Sequence, residues 1–210
     1  SHQHLTDYQL VSKPWAVCAV ERSQVAVTLR TTNKIQLLTV DSSIQQRRKI
    51  NTSLSCHGIA ALSRDRLVVS GKRNDILYWC IISMDGSEES PVQVCTTSYN
   101  SCLAVNNSGT RIYVACYKPA VVYAYSLDGT VIFKYKNEAL IKINGVAVDR
   151  EDNLYVVCFS GSIHQVSPDG TTLQVFSTEI PKISRICFTT SGDEFLILEG
   201  MSLVHRFILK

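Results

Sequence analysis

The sequence predicts an all-β fold, a β-propeller of four-stranded antiparallel blades, on three observations. One turn recurs as Asp41-Ser42-Ser43, Asp85-Gly86-Ser87, Asp128-Gly129-Thr130 and Asp169-Gly170-Thr171, at steps of 44, 43 and 41 residues. Short apolar runs stand at matching offsets from each copy. Asp-Gly between such runs is a hairpin signal, because glycine takes positive φ without a Cβ clash. A period of roughly 40–45 residues with this content is that of propeller blades.

The first strand of each unit is rich in small residues: Val17-Cys18-Ala19-Val20, Gly58-Ile59-Ala60-Ala61, Cys102-Leu103-Ala104-Val105, Gly145-Val146-Ala147-Val148 and Arg185-Ile186-Cys187-Phe188. We name it strand A and expect it nearest the blade axis, where space is short. Strand B follows as Val25-Ala26-Val27, Leu67-Val68-Val69, Ile112-Tyr113-Val114, Leu154-Tyr155-Val156 and Phe195-Leu196-Ile197. These continuous apolar runs suit strands covered on both faces.

Strand C reads Ile35–Leu38, Leu77–Cys80, Val122–Tyr125, Ile163–Val166 and Val204–Phe207. After the Asp turn, strand D reads Ile44–Arg48, Val92–Cys95, Val131–Tyr135 and Leu173–Phe176. Its polar content fits an outer edge. The fifth unit reaches Lys210 after strand C. Tyr8-Gln9-Leu10-Val11 is expected to supply its fourth strand. The expected layout is one propeller over residues 1–210, with blades at about 15–55, 56–100, 101–142, 143–182, and 183–210 joined by 5–14.

At 210 residues, 45% apolar and 19% charged, the chain can bury a core without metal or disulfide support. No apolar run approaches the ~20 residues of a membrane-spanning helix. Ser1-His2-Gln3-His4 has no charged-then-apolar leader layout. The eight cysteines form no C-x-x-C pair, and most sit inside apolar runs, as small core hydrophobes with free thiols do. Free thiols favour a reducing compartment, so the expected location is cytoplasmic. The sequons at Asn51-Thr52-Ser53 and Asn106-Asn107-Ser108 support the secreted alternative.

Gly145-Val146-Ala147-Val148-Asp149, then Asn153-Leu154-Tyr155-Val156, then Ile163–Gly170 resembles the NHL repeat, and Cys102–Gly129 looks like a second copy. The whole chain resembles the carboxy-terminal propeller of invertebrate tripartite-motif (TRIM-NHL-like) proteins. That resemblance implies the substrate- or RNA-recognition end of a ubiquitin ligase. The ligase chemistry would lie in RING and B-box domains absent from this sequence. The chain departs from the family pattern in Val157-Cys158, where Ala-Asp is usual. It also has five countable blades, where six are common.

No catalytic constellation is present. The chain lacks a G-x-S-x-G elbow, an H-E-x-x-H pair and a P-loop. His57, His164 and His205 fall in different units. Strand A begins with Val17, Gly58, Cys102, Gly145 and Arg185, none of them acidic. That disfavours a metal-dependent hydrolase, and we expect no enzyme, cofactor or metal.

The expected register sorts the charges. The loops joining D to A and B to C carry ten cations and four anions. The A–B and C–D loops carry thirteen anions and five cations. The expected ligand-binding face is the cationic one: Lys13, Arg30, Lys34, Lys72, Arg73, Tyr99, Tyr117, Lys118, Lys142 and Phe159, with Trp15 nearby. Cations beside aromatics suit phosphates and bases, or an acidic protein. The expected role is a non-catalytic interaction module for a protein or single-stranded RNA. A lectin-like propeller binding glycans is the alternative, on Tyr113, Tyr155 and the sequons.

Overall fold

The computed structural model describes residues 8–96, 101–189, 192, 194–200 and 203–208. They fall in two compact units, Ser1–Thr96 and Thr97–Lys210. In the first unit one sheet holds β1 (Pro14–Glu21), β2 (Gln24–Leu29), β3 (Lys34–Val40) and β4 (Ile44–Asn51). The next holds β5 (Ser55–Ala61), β6 (Arg66–Arg73), β7 (Ile76–Ser83) and β8 (Val92–Cys95).

In the second unit one sheet holds β9 (Ser101–Val105), β10 (Arg111–Cys116), β11 (Val121–Ser126) and β12 (Val131–Tyr135). A second holds β13 (Ile143–Val148), β14 (Leu154–Cys158), β15 (Ser162–Val166) and β16 (Thr172–Ser177). The last holds β17 (Ile183–Phe188), β18 (Glu194–Glu199) and β19 (Leu203–Ile208). Each sheet is an antiparallel meander in chain order. The fold is a five-bladed β-propeller.

One expectation needs correction. Tyr8–Val11 is not a strand. Tyr8 and Leu10 pack on Val27, Leu29 and Leu38 of the first sheet, and the Tyr8 hydroxyl donates to Gln46 Oε1 at 2.8 Å. The segment finds apolar cover on its own unit. The fifth sheet has three strands among the described residues. Residues 5–7, also assigned to that closing strand, lie outside the described ones.

The second strand of each blade carries the packing. In β14, Leu154, Val156 and Cys158 enter one core with Tyr113, Val122 and Ile143. Tyr155 and Val157 enter another with Ile183, Ile186 and Phe195. All five β14 side chains are buried. Successive strand residues point to opposite faces, so a strand between two blades is apolar at every position. Each such side chain contributes roughly 1.5–3 kcal/mol of burial. In the first unit β6 does the same, with Leu67 and Val69 packed on Ala26, Ile35 and Ile50.

Small residues on strand A are needed for close approach. A Cβ at Gly145 would lie 2.9 Å from Val157 Cγ2 and 3.2 Å from Ile186 N. Asn144 also joins neighbours, donating through Nδ2 to Ile183 O at 2.7 Å.

The Asp-Gly turns close the C–D hairpins. Gly86, Gly129 and Gly170 have φ of 98°, 89° and 93°. The carboxylates serve the turns themselves: Asp85, Asp128 and Asp169 accept the backbone N–H two residues on, at 2.8, 2.9 and 2.9 Å. Hydrogen bonds from Ser87, Ser126 and Ser167 with their turn neighbours hold the three carboxyls below their ordinary range.

All eight cysteines are free thiols. Cys56, Cys80, Cys116 and Cys158 are buried, as core hydrophobes should be, whereas Cys187 is exposed. Burial pushes the Cys56 thiol up to about 11. The sequon residue Asn106 is also enclosed. Its Oδ1 accepts Thr110 N at 2.9 Å and Arg111 N at 2.8 Å, and its Nδ2 donates to Ser108 Oγ at 2.8 Å.

The two-faced packing predicts a sharp contrast in stability. Val156→Asp places a charge in a fully buried site and is expected to cost several kcal/mol. Val175→Asp, on the 44% exposed outer strand β16, is expected to change stability by no more than about 0.5 kcal/mol. Urea unfolding of both variants checks this.

Candidate functional site

In the first unit, the loop ends expected to bind bring together a cationic group. A bulge between the Cys56 and Ile59 pairings of β5 adds one residue, and His57 sits there. Bulges re-aim side chains, and this one sets the imidazole against Trp15, with ring centroids 6.0 Å apart. The buried Thr28 hydroxyl fixes the pair. It accepts Ala16 N at 3.0 Å and donates to His57 O at 3.3 Å. The Trp15 end of β1 is thereby tied to the neighbouring blade.

Arg30 follows β2 in a short 3-10 turn, Arg30–Thr32, and its Cζ lies 4.6 Å from the Trp15 ring centroid. Such a cation–π contact contributes about 0.5–1 kcal/mol at an exposed site. Ser55 Oγ donates to Arg30 O at 3.2 Å and holds that corner. Lys72 ends β6 directly opposite Ser55, half-buried, with the exposed Asp75 carboxylate 4.0 Å away. Arg73 is exposed and lies 5.0 Å over the Tyr78 ring. Lys34 opens β3, and Lys13 is exposed before β1.

His57 senses this group. It is fully buried, and neither ring nitrogen has a hydrogen-bond partner. Burial, aided by the positive charges of Arg30 and Lys72, pushes its pKa down to about 4. The ring is therefore neutral near pH 7 and packs as an aromatic. Trp15, at 36% exposure, forms the outer layer over it.

In the second unit, the loops of the same kind hold Tyr117, Lys118, Lys142 and Phe159. Lys142 Nζ stands 5.6 Å from the Phe159 ring centroid. Phe159 N donates to Lys142 O at 3.0 Å, and Lys182 N donates to Phe159 O at 3.2 Å. This B–C corner thus binds the two adjacent D–A connections. Phe159 is 40% exposed. Tyr117 is half-buried and Lys118 is exposed, before the cis bond to Pro119.

The expected residues therefore form separate groups. Arg30 and Lys72 stand by Trp15 and His57, Arg73 lies over Tyr78, and Lys142 pairs with Phe159. Tyr99 lies outside the described residues. Sequence reasoning missed His57, because a histidine in an apolar strand carries no sign of the bulge that turns it. His164 and His205 share a repeat position but no site. His164 is buried, its Nδ1 2.9 Å from Tyr135 Oη, whereas His205 Nε2 meets Glu199 Oε2 at 2.9 Å.

No family model matches the sequence. No curated protein does either. Among solved structures the chain is similar to a functionally unknown protein from Desulfotomaculum acetoxidans, with TM-score 0.76 and 14% identity, over 97% of this chain and 68% of that one. Likeness at that identity extends to the fold alone.

His57 gives a pH-dependent test of the cluster. Its folded pKa lies below its unfolded value of 6.5, so folding keeps the ring neutral while the unfolded chain takes up the proton. The stability at stake is fully present above pH 6.5 and falls as pH drops toward 4. The slope from this residue approaches about 1.4 kcal/mol per pH unit. His57→Leu is expected to flatten the stability profile over that window, and urea unfolding at several pH values measures it.

Proposed function

We propose that this chain is a non-catalytic recognition module that binds an anionic partner through its B–C and D–A loops, with single-stranded RNA as the favoured ligand. The observation that supports it is the cation–aromatic pairing at these loops. Arg30 stacks on Trp15 and Arg73 on Tyr78 in the first unit, and Lys142 stands over Phe159 in the second.

A guanidinium beside an aromatic ring brings together a stacking surface for a base and donors for a phosphate. Lys72 adds a second cation beside Arg30. Stacking is tolerant of base identity, so affinity on this reading depends strongly on salt and weakly on sequence. By its resemblance to TRIM-NHL-like propellers, the module would serve as the recognition end of a larger ligase. An acidic protein segment is the competing ligand, since it would meet the same charges without needing the rings.

Charge reversal tests the anionic partner, and removal of the ring separates the two readings. The variant Arg30→Glu, Lys72→Glu, Arg73→Glu is expected to weaken binding to oligouridylate strongly. If each of the three cations meets one phosphate, it also lowers the slope of log affinity against log salt by about 2. Trp15→Leu is expected to weaken oligouridylate and leave a poly-glutamate peptide unaffected. Failure of the unmodified protein to bind oligouridylate at low salt would remove the RNA reading.

A further inference from the structure

The second unit contains a cleft of about 770 Å³ at the ends of the strands away from the cationic loops. Its origin can be read in the repeat. In the blade β9–β12, Phe133 of the outer strand reaches the next blade's C–D turn. A Cβ on Gly170 would lie 2.9 Å from that ring, which packs over the turn and 6.2 Å from Tyr113. Arg111 adds a hydrogen bond to Pro168 O. The gap between these two blades is thereby filled.

Counted from the Asp-Gly turn, Phe133 becomes Gln174 in the blade β13–β16, and Ala124 becomes Gln165. Two amides replace a ring and a methyl, so the corresponding gap stays open. Gln165 and Gln174 face each other directly across β15 and β16. Neither amide bonds to another described residue.

The back of the cleft is aromatic. Phe195 and Phe207 stack at 5.0 Å with 7° between their planes, and Tyr155 lies 6.0 Å from Phe195. The rim holds Glu151 and Arg150, of opposite charge. Asp149 is already committed. Its Oδ1 accepts Glu151 N and Asn153 N, both at 2.9 Å, and its Oδ2 accepts Asn153 Nδ2 at 3.0 Å.

We infer that this cleft binds a neutral polyhydroxylated ring, a sugar residue. The half-buried Phe207 ring, backed by the buried Phe195 and Tyr155, offers apolar contact to the C–H face of such a ring. The facing amides, each both donor and acceptor, match vicinal hydroxyls. The volume lies within the ~300–1,000 Å³ of small-molecule sites, which combine an apolar wall with a few placed polar groups. The lining carries two carboxylates, Asp149 and Glu151, against the single cation Arg150, a balance that disfavours an anion. A nucleotide would bring its phosphates against Glu151.

The site is independent of the cationic loops. The charge-reversed variant above therefore keeps it, and its failure is distinguishable from failure of the RNA reading. Gln174→Phe restores the filled arrangement of the preceding blade. The full chain and this variant are compared by saturation-transfer NMR against methyl glycosides of glucose, galactose, mannose and N-acetylglucosamine, with AMP as the anionic control.

At least one glycoside is expected to receive transfer from the parent, and Gln174→Phe to remove it without lowering the melting temperature. Gln165→Ala is expected to weaken binding roughly tenfold, as loss of a ligand hydrogen bond does. No transfer to any of the four glycosides, transfer unchanged in Gln174→Phe, or AMP binding in preference to the glycosides would overturn the assignment.

Discussion

The rest of the molecule depends on second strands buried from both sides, as β6, β10 and β14 are. β14 is the clearest case: alternate side chains enter two different cores, and no position is spared for function. A strand covered in this way must be apolar throughout and must find a partner sheet on each face. Blades therefore stack within each unit, and hydrophilic variation is pushed to the corners and the outer strand. Those corners are where the charges and the exposed rings collect.

Small residues and corner contacts hold that stack in register. Gly145 lets strand A approach the next blade, and Asn144 bonds across the same boundary. At the other strand ends, outer strands reach the following C–D turn. Arg48 Nη1 donates to Met84 O at 3.0 Å in the first unit, and Phe133 covers Gly170 in the second. Because register fixes which corners share an end, cations gather at one set of loops and turn carboxylates at the other. The turn carboxylates accept their own backbone N–H groups and add negative charge to that end.

The blade plan was legible in the sequence because turn chemistry and strand burial are local. Val131–Tyr135 coincides with its expected strand because it starts directly after the Asp128-Gly129-Thr130 turn, whereas Val92–Cys95, six residues beyond Gly86, is marked by its own apolar alternation. The role of Tyr8–Val11 was not legible. Alternation marks a strand but does not identify its partner, and these side chains found cover on Val27 and Leu29. For the site, sequence gave the cations but not their grouping. The Trp15–His57 contact depends on a bulge, and the open cleft depends on one outer-strand residue, Gln174, that no motif distinguishes. Tyr155 packs on Phe188 and Phe195 and also lines the cleft.

On the proposed function, anion recognition falls to the B–C and D–A corners. Hydrogen-exchange mass spectrometry of the whole chain, with and without saturating oligouridylate, tests it most directly. Slowed exchange is expected in the Arg30–Thr32 turn, the β6–β7 corner and the segment around Phe159, with the Asp85, Asp128 and Asp169 turns unchanged. Slowed exchange at those Asp turns, with the cationic corners unaffected, would contradict it.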